Sequence, residues 1–218
     1  MADKLTDKQI ADLAAILAKN DASTDAKVHA VNAVKSGIKQ HNVPETGVPQ
    51  LFDALRSASA SQHAVLAHAG FSSLNHLLTR LSRQEPKFIV KEAMRTMPTV
   101  IEKLGDPKEK LRAVAVQALT TMYGVAPTEV ERGVKNTAMA GKNSRAKEAS
   151  MNWLAAMHRD QGLQFRAYVP LLMDLLEDAD GMVRDVAKST VIELFRSVGP
   201  GPCPLLLPCS TLVVTCRD

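Results

Sequence analysis

Met97-Pro98-Thr99-Val100-Ile101-Glu102-Lys103-Leu104 follows a pattern that the chain repeats as Val48-Pro49-Gln50-Leu51-Phe52-Asp53-Ala54-Leu55 and as Val169-Pro170-Leu171-Leu172-Met173-Asp174-Leu175-Leu176. Each copy has an apolar residue, a proline, a pair of apolar positions, an acid and a closing leucine. Fourteen residues after the proline stands a basic residue, Arg112 or Arg184, and His63 holds the same offset in the remaining copy. Lys147, 35 residues past Arg112 and 37 before Arg184, marks a fourth, more diverged unit between them. Self-similarity at a period of roughly 20 to 50 residues predicts a solenoid, whose units bury their apolar stripes only against neighbouring units.

Around these segments the apolar residues recur with a helical period. Ile10, Leu13, Ala14 and Leu17 share one face. So do Leu111, Val114, Ala115, Ala118, Leu119 and Met122, and again Val183, Val186, Ala187, Val191, Leu194 and Phe195. Turn chemistry separates them at Asn20-Asp21, Asn42-Val43-Pro44, Gly105-Asp106-Pro107, Gly124 to Pro127, Gly141 to Ser144 and Asp180-Gly181. No stretch alternates convincingly as a strand. With only eight aromatic residues in 218, a sandwich or barrel is disfavoured, while 45% apolar and 23% charged residues exclude disorder throughout.

The predicted fold class is therefore all-α. Helix pairs are expected at 6–41, 44–81, 86–122, 127–158 and 163–196, with the proline bending the first helix of its pair. A bent first helix, a turn with Asp and a second helix opening on apolar-Arg-x-x-Ala resembles a HEAT repeat, so the chain reads as an α-solenoid of about five such repeats over 1–196. Leu119, Leu194 and Trp153 fall on buried stripes. Residues 197–218 carry all three cysteines (Cys203, Cys209, Cys216) and four of the eleven prolines, with only Arg217 and Asp218 charged. They read as a non-repeat tail, either flexible or translated from outside the native coding sequence.

Catalytic chemistry finds no footing. With no thiol before Cys203, the repeats can form neither a disulfide nor a cysteine metal site, and a reducing compartment is the natural home. The six histidines never form His-Glu-x-x-His, and His63 with His68 is an i, i+5 pair that a helix points apart. Gly70-Phe71-Ser72-Ser73-Leu74 lacks the second glycine of a nucleophile elbow. Gly141-Lys142-Asn143-Ser144 reads as a turn with an N-cap rather than a phosphate loop. Glu177, Asp178 and Asp180 sit where carboxylates complement a helix start. No enzyme activity, cofactor or metal is expected. The N-terminus has no apolar segment of signal-peptide type, and no apolar run reaches the roughly 20 residues of a membrane span.

If each unit is a helix pair, the turns within the pairs line up along one edge. The third and fourth carry Lys108, Lys110, Lys142 and Arg145, a positive stretch suited to an acidic partner. The excess of 27 Lys and Arg over 23 Asp and Glu agrees with such a partner without selecting one. Leu104-Gly105-Asp106-Pro107-Lys108-Glu109-Lys110-Leu111-Arg112 resembles the third intra-repeat turn of TOG domains. Lys142-Asn143-Ser144-Arg145-Ala146-Lys147-Glu148 resembles the fourth turn in the CLASP family, and Phe165 to Asp185 resembles the fifth repeat of fungal CLASP proteins.

The resemblance implies the N-terminal TOG-type paddle of a longer CLASP protein that stabilises spindle microtubules. It implies a tubulin dimer or microtubule as partner, a cytoplasmic, cytoskeletal and spindle location that extends to the nucleus, and a monomeric fragment. By motif it carries over Lys108 in the third turn, Asn143 and Arg145 in the fourth, and Gly181 and Arg184 in the fifth. It also implies that Arg112 and Arg184 form an internal ladder with turn aspartates such as Asp106 and Asp178. One departure stands out: the first turn, Asn20-Asp21-Ala22-Ser23-Thr24-Asp25, has no aromatic anchor of the kind that tubulin-binding TOG domains carry. The alternative reading is a HEAT interaction scaffold for a kinetochore or other spindle protein, and nucleic acid ranks last among the partners.

Overall fold

The computed structural model describes residues 5–196, and the tail reading of 197–218 lies outside them. The described chain forms five antiparallel helix pairs: α1 (Asp7–Ala18) with α2 (Thr24–Gln40), α3 (Val48–Ser59) with α4 (Ala64–Gln84), and α5 (Pro86–Leu104) with α6 (Glu109–Tyr123). The fourth pair is α7 (Pro127–Gly133), prolonged by a π-helical segment at Val134–Met139, with α8 (Ser144–Gln161). The fifth is α9 (Val169–Leu176) with α10 (Gly181–Arg196). No strand occurs among the described residues. This is the expected all-α solenoid of five repeats.

Local chemistry sets the helix ends. Thr6 and Gln9 form a capping box on α1, with Gln9 N donating to Thr6 Oγ1 at 3.3 Å and Thr6 N donating to Gln9 Oε1 at 2.9 Å. Ser23 and Asn143 cap α2 and α8 by accepting from Ala26 N and Ala146 N. At the far end of α8, Gly162 takes φ +68°, and its N–H returns to His158 O. A side chain there would strain the left-handed backbone.

The prolines act differently from expectation in two of the three copies. Pro49 and Pro170 stand in the first turns of α3 and α9, each behind a short 3-10 turn (Glu45–Gly47 and Phe165–Tyr168), where a missing N–H leaves no helical bond unmade. Only Pro98 lies inside a helix, α5. The equivalence of His63 also fails. α3 runs ten residues past Pro49, whereas α5 and α9 run six past theirs, so the fourteen-residue step ends on the N-cap of α4. Aligned by helix starts, the equivalents of Arg112 and Arg184 are Lys27, Ala67 and Lys147.

Successive pairs stack to form one core. Leu111, Ala115, Ala118, Leu119 and Met122 are the buried face of α6, and Leu119 and Leu194 are fully enclosed. Trp153 is 2% exposed. Its ring meets Tyr123 edge-on at 5.6 Å and its Nε1 donates to Thr120 Oγ1 at 3.1 Å, which satisfies the one polar atom of the side chain. Between the second and third pairs, Arg56 donates to Glu92 at 2.7 Å and to Thr96 Oγ1 at 3.1 Å, while Arg95 reaches Asp53 at 2.8 Å. The second helices pack closely from α2 to α4 to α6 and from α8 to α10, but the backbones of α6 and α8 lie farther apart and are bridged by Trp153. There α5 holds the halves together by packing on both α7 and α8.

Candidate partner-binding edge

The turns inside the five pairs are 19–23, 60–63, 105–108, 140–143 and 177–180, and the stacking of pairs sets them side by side. The second residue of each following helix is exposed and occupies the same register: Asp25, Val65, Lys110, Arg145 and Met182. The edge thus runs acidic, apolar, basic, basic, apolar.

In the third turn Asp106 Oδ1 accepts from Lys108 N at 2.8 Å, closing an Asx turn. Arg112 Nη1 donates to the main-chain oxygens of Asp106 at 2.8 Å and Pro107 at 2.9 Å. The fifth turn repeats the device. Asp178 Oδ1 accepts from Asp180 N at 2.9 Å, and Arg184 Nη1 donates to Asp178 O at 2.7 Å and Ala179 O at 3.0 Å. The expected ladder of arginine to aspartate carboxylate is therefore corrected. Each arginine braces the carbonyls of its own turn, because the guanidinium returns along the helix to the orphan acceptors beneath it.

The carboxylate of Asp178 instead binds Lys147 of the preceding pair, Nζ to Oδ2 at 2.6 Å, with both side chains largely buried. That contact, followed by the Asp180 N–H, holds the Asp178 carboxyl below the usual range. Asp180 is lowered as well, first by the Ser144 hydroxyl and then by the Met182 N–H. Gly181, the first residue of α10, is exposed beside these groups.

The fourth turn is tied to the third. Asn143 caps α8 through Oδ1 and donates through Nδ2 to Gly105 O at 3.4 Å. A Cβ on Gly105 would lie 2.1 Å from that Nδ2, so the approach needs glycine. Lys108, Lys110, Lys142, Asn143 and Arg145 are all exposed, and the four cations have no ion-pair partner among the described residues. Arg184 lies on the same edge but is half-buried, with Nη1 engaged by its own turn.

The reading by offsets missed Val65, 65% exposed, and Met182, 64% exposed, the large apolar side chains of this edge. Aligning the second helices by their starts would have found both. The first turn has no aromatic residue, and Trp153 lies in the core. Such an edge can grip an acidic protein surface through the centre and add apolar contacts on either side. Among the described residues, the cleft on this edge, between Glu109, Arg112, Arg145 and Glu148, is open rather than enclosed.

The family described as "CLASP N terminal" matches residues 6–201. Protein stu-1 of Neurospora crassa is 64% identical over 197 residues, covering 90% of this chain and 17% of that protein. Protein STU1 of Gibberella zeae is 65% identical over 198 residues, with the same two shares of 90% and 17%. The chain thus spans about a sixth of the length of these relatives. Among solved structures, the MAST/Orbit N-terminal domain superposes with a TM-score of 0.77 at 20% identity, covering 91% of this chain and 86% of that one. A chain described under "TOG-tubulin binding specificity promotes microtubule dynamics and mitotic spindle formation" gives 0.69 at 15% identity, covering 90% and 85%.

Proposed function

We propose, from the premise that this chain belongs to the CLASP N-terminal family, that its intra-pair edge binds the acidic surface of a tubulin dimer, free or in the microtubule. Membership makes the chain a microtubule-associated structural module and not an enzyme. The finer reading rests chiefly on one observation: Lys108, Lys110, Lys142 and Arg145 stand exposed and unpaired on adjacent turns, at the centre of the edge. Unpaired surface cations steer an acidic partner over several ångströms and then pair with it directly. Val65 and Met182 flank them as apolar contacts. Asn143 sets the spacing of the two basic turns, while Gly181 and Arg184 shape the fifth. On this reading the longer protein carries the module to cytoskeletal and spindle microtubules, which it stabilises.

A second reading, a HEAT scaffold for a kinetochore or other spindle protein, draws on the first turn, where Asn20 and Asp21 stand in place of an aromatic anchor. Analytical sedimentation with purified tubulin dimer separates the two. The native chain is expected to form a complex that Lys108→Glu with Arg145→Glu abolishes, without a change in melting beyond that of exposed turn substitutions, about 0.5 kcal/mol. If the native chain forms no complex at tens of micromolar, roughly the range of weak association, the scaffold reading takes its place.

A further inference from the structure

The far ends of α2 and α4 present a different surface. Residues 26–44 and 54–84 contain no Asp or Glu, so these two helices meet without a carboxylate beyond Asp25. Lys39, His76, Arg80 and Arg83 line a shallow cleft of about 220 Å³ between them, together with Ile38 and Thr79, and Lys35 lies beside it. None of the five basic groups joins an ion pair among the described residues. Other part-buried cations are matched, Arg56 by Glu92 and Lys147 by Asp178, whereas those of the turn edge that lack partners stand exposed to solvent.

The fold accounts for part of this cluster. Arg80 donates from Nε to Ile38 O at 3.0 Å and from Nη2 to Lys39 O at 2.6 Å, closing the carbonyl end of α2 and leaving Nη1 without a partner. Lys39 and Arg83 lie in the last turns of their helices, where a cation suits the dipole. Lys35 and His76 lie deeper. Lys35 Nζ has only the Ser72 hydroxyl, at 2.8 Å. Its pKa is lowered by burial and then by Lys39, and that of His76 by burial and then by Lys35 and Lys39. The charges crowd one another, and an anion in the cleft would relieve the repulsion.

We propose that this cleft is a second binding site, separate from the turn edge, for a phosphate monoester carried on a partner polypeptide. The site is concave and confined to one gap between two helices, which suits a single tetrahedral dianion. A membrane or a nucleic-acid duplex would call for charge spread along the surface, yet the neighbouring Lys87 is already matched by Glu45 at 3.0 Å and Glu85 at 3.1 Å. Thr79, half-buried on the cleft wall, offers its methyl group to a residue beside the phosphate. Lys39 lies fifteen residues along α2 from Thr24, about 22 Å from the turn edge. The two sites can therefore be filled together.

The test follows the His76 ring C–H resonances by NMR while the chain is titrated with a short phosphoserine peptide, its unphosphorylated twin, phosphatidylserine vesicles and a short DNA duplex. The phosphopeptide is expected to move His76 saturably and the twin is not. Lys39→Glu with Arg83→Glu should weaken that response by about tenfold or more, since it removes two charge-assisted contacts. The same variant should sediment with tubulin as the native chain does. If reversal lowers the melting temperature, Lys39→Gln with Arg83→Gln replaces it. The proposal is overturned if the phosphopeptide leaves His76 unmoved at about 10 mM, weaker than any useful affinity. It is equally overturned if the variants respond like the native chain, or if vesicles or duplex move His76 and the phosphopeptide does not.

Discussion

Lys147 and Arg112 hold the same position in consecutive second helices, yet they act in opposite directions. Arg112 folds back on the carbonyls of its own turn, and Lys147 reaches forward to Asp178 of the next pair. Arg112→Ala leaves two turn carbonyls without their charged donor, and a loss of about 1.5 to 3 kcal/mol is expected in denaturant unfolding. A loss below about half a kilocalorie would mean that water replaces the brace without cost. For Lys147 the test is acid. The folded Asp178 carboxyl lies below its ordinary value of 3.8, so its contribution is complete above that pH and fades as pH falls through the lowered folded value. Lys147→Met should therefore be less stable than the native chain at pH 7. The difference should shrink as the pH drops below about 4, where the unfolded carboxyl protonates. Parallel melts at both pH values check this, and a gap that stays constant would assign the loss to packing.

At the scale of the helix, each second helix buries a stripe against its neighbours, and that stripe carries most of the stability. Leu119→Ala and Leu194→Ala each empty a fully enclosed site and are expected to cost about 2 to 5 kcal/mol. Trp153→Ala should cost about 3 to 5 kcal/mol. Trp153→Phe should cost less, because the ring contact with Tyr123 persists while Thr120 loses its donor. Urea unfolding of the four variants orders them. These stripes could be read in the sequence because a 3.6-residue period is a local property. The exposed turn cations could be read too, from the Gly, Pro and Asp that punctuate the helices. What could not be read depends on contacts or on lengths. The π-helical end of α7 and the separation of the α6 and α8 backbones arise from packing. The extra turn of α3 carried the expected basic position onto His63 and hid Val65. The partner of an arginine, carboxylate or carbonyl, is decided by where the backbone turns and has no sequence signal.

Across the whole molecule, the basic centre of the edge straddles the place where the second helices separate. Lys108 and Lys110 belong to the α5–α6 turn, Lys142 and Arg145 to the α7–α8 turn, and beneath them the backbones of α6 and α8 draw apart until Trp153 bridges them. In a solenoid the relative placement of two units comes from their shared interface. Here the turns themselves are joined by one visible stitch, Asn143 Nδ2 to Gly105 O. Asn143→Ser separates the two duties of this side chain. Serine still caps α8, so stability should change by only a few tenths of a kcal/mol, but it is too short to reach Gly105. Gly105→Ala removes the stitch from the other side, since its Cβ would displace Nδ2. If spacing of the basic turns governs tubulin binding, both variants should weaken the complex by roughly three- to tenfold, about 0.7 to 1.4 kcal/mol. Melting should stay near that of the native chain for Asn143→Ser, whereas Gly105→Ala should lose about 0.5 to 2 kcal/mol of stability, because its Cβ also crowds the capping Oδ1. Sedimentation with tubulin dimer across a salt series reads the outcome. The native complex and both variants should weaken together as salt screens the exposed cations. Unchanged affinity in both would place the spacing under the control of the interior, where α5 packs on α7 and α8 and Trp153 joins α8 to Tyr123 and Thr120 of α6, holding the two turns in register without the stitch.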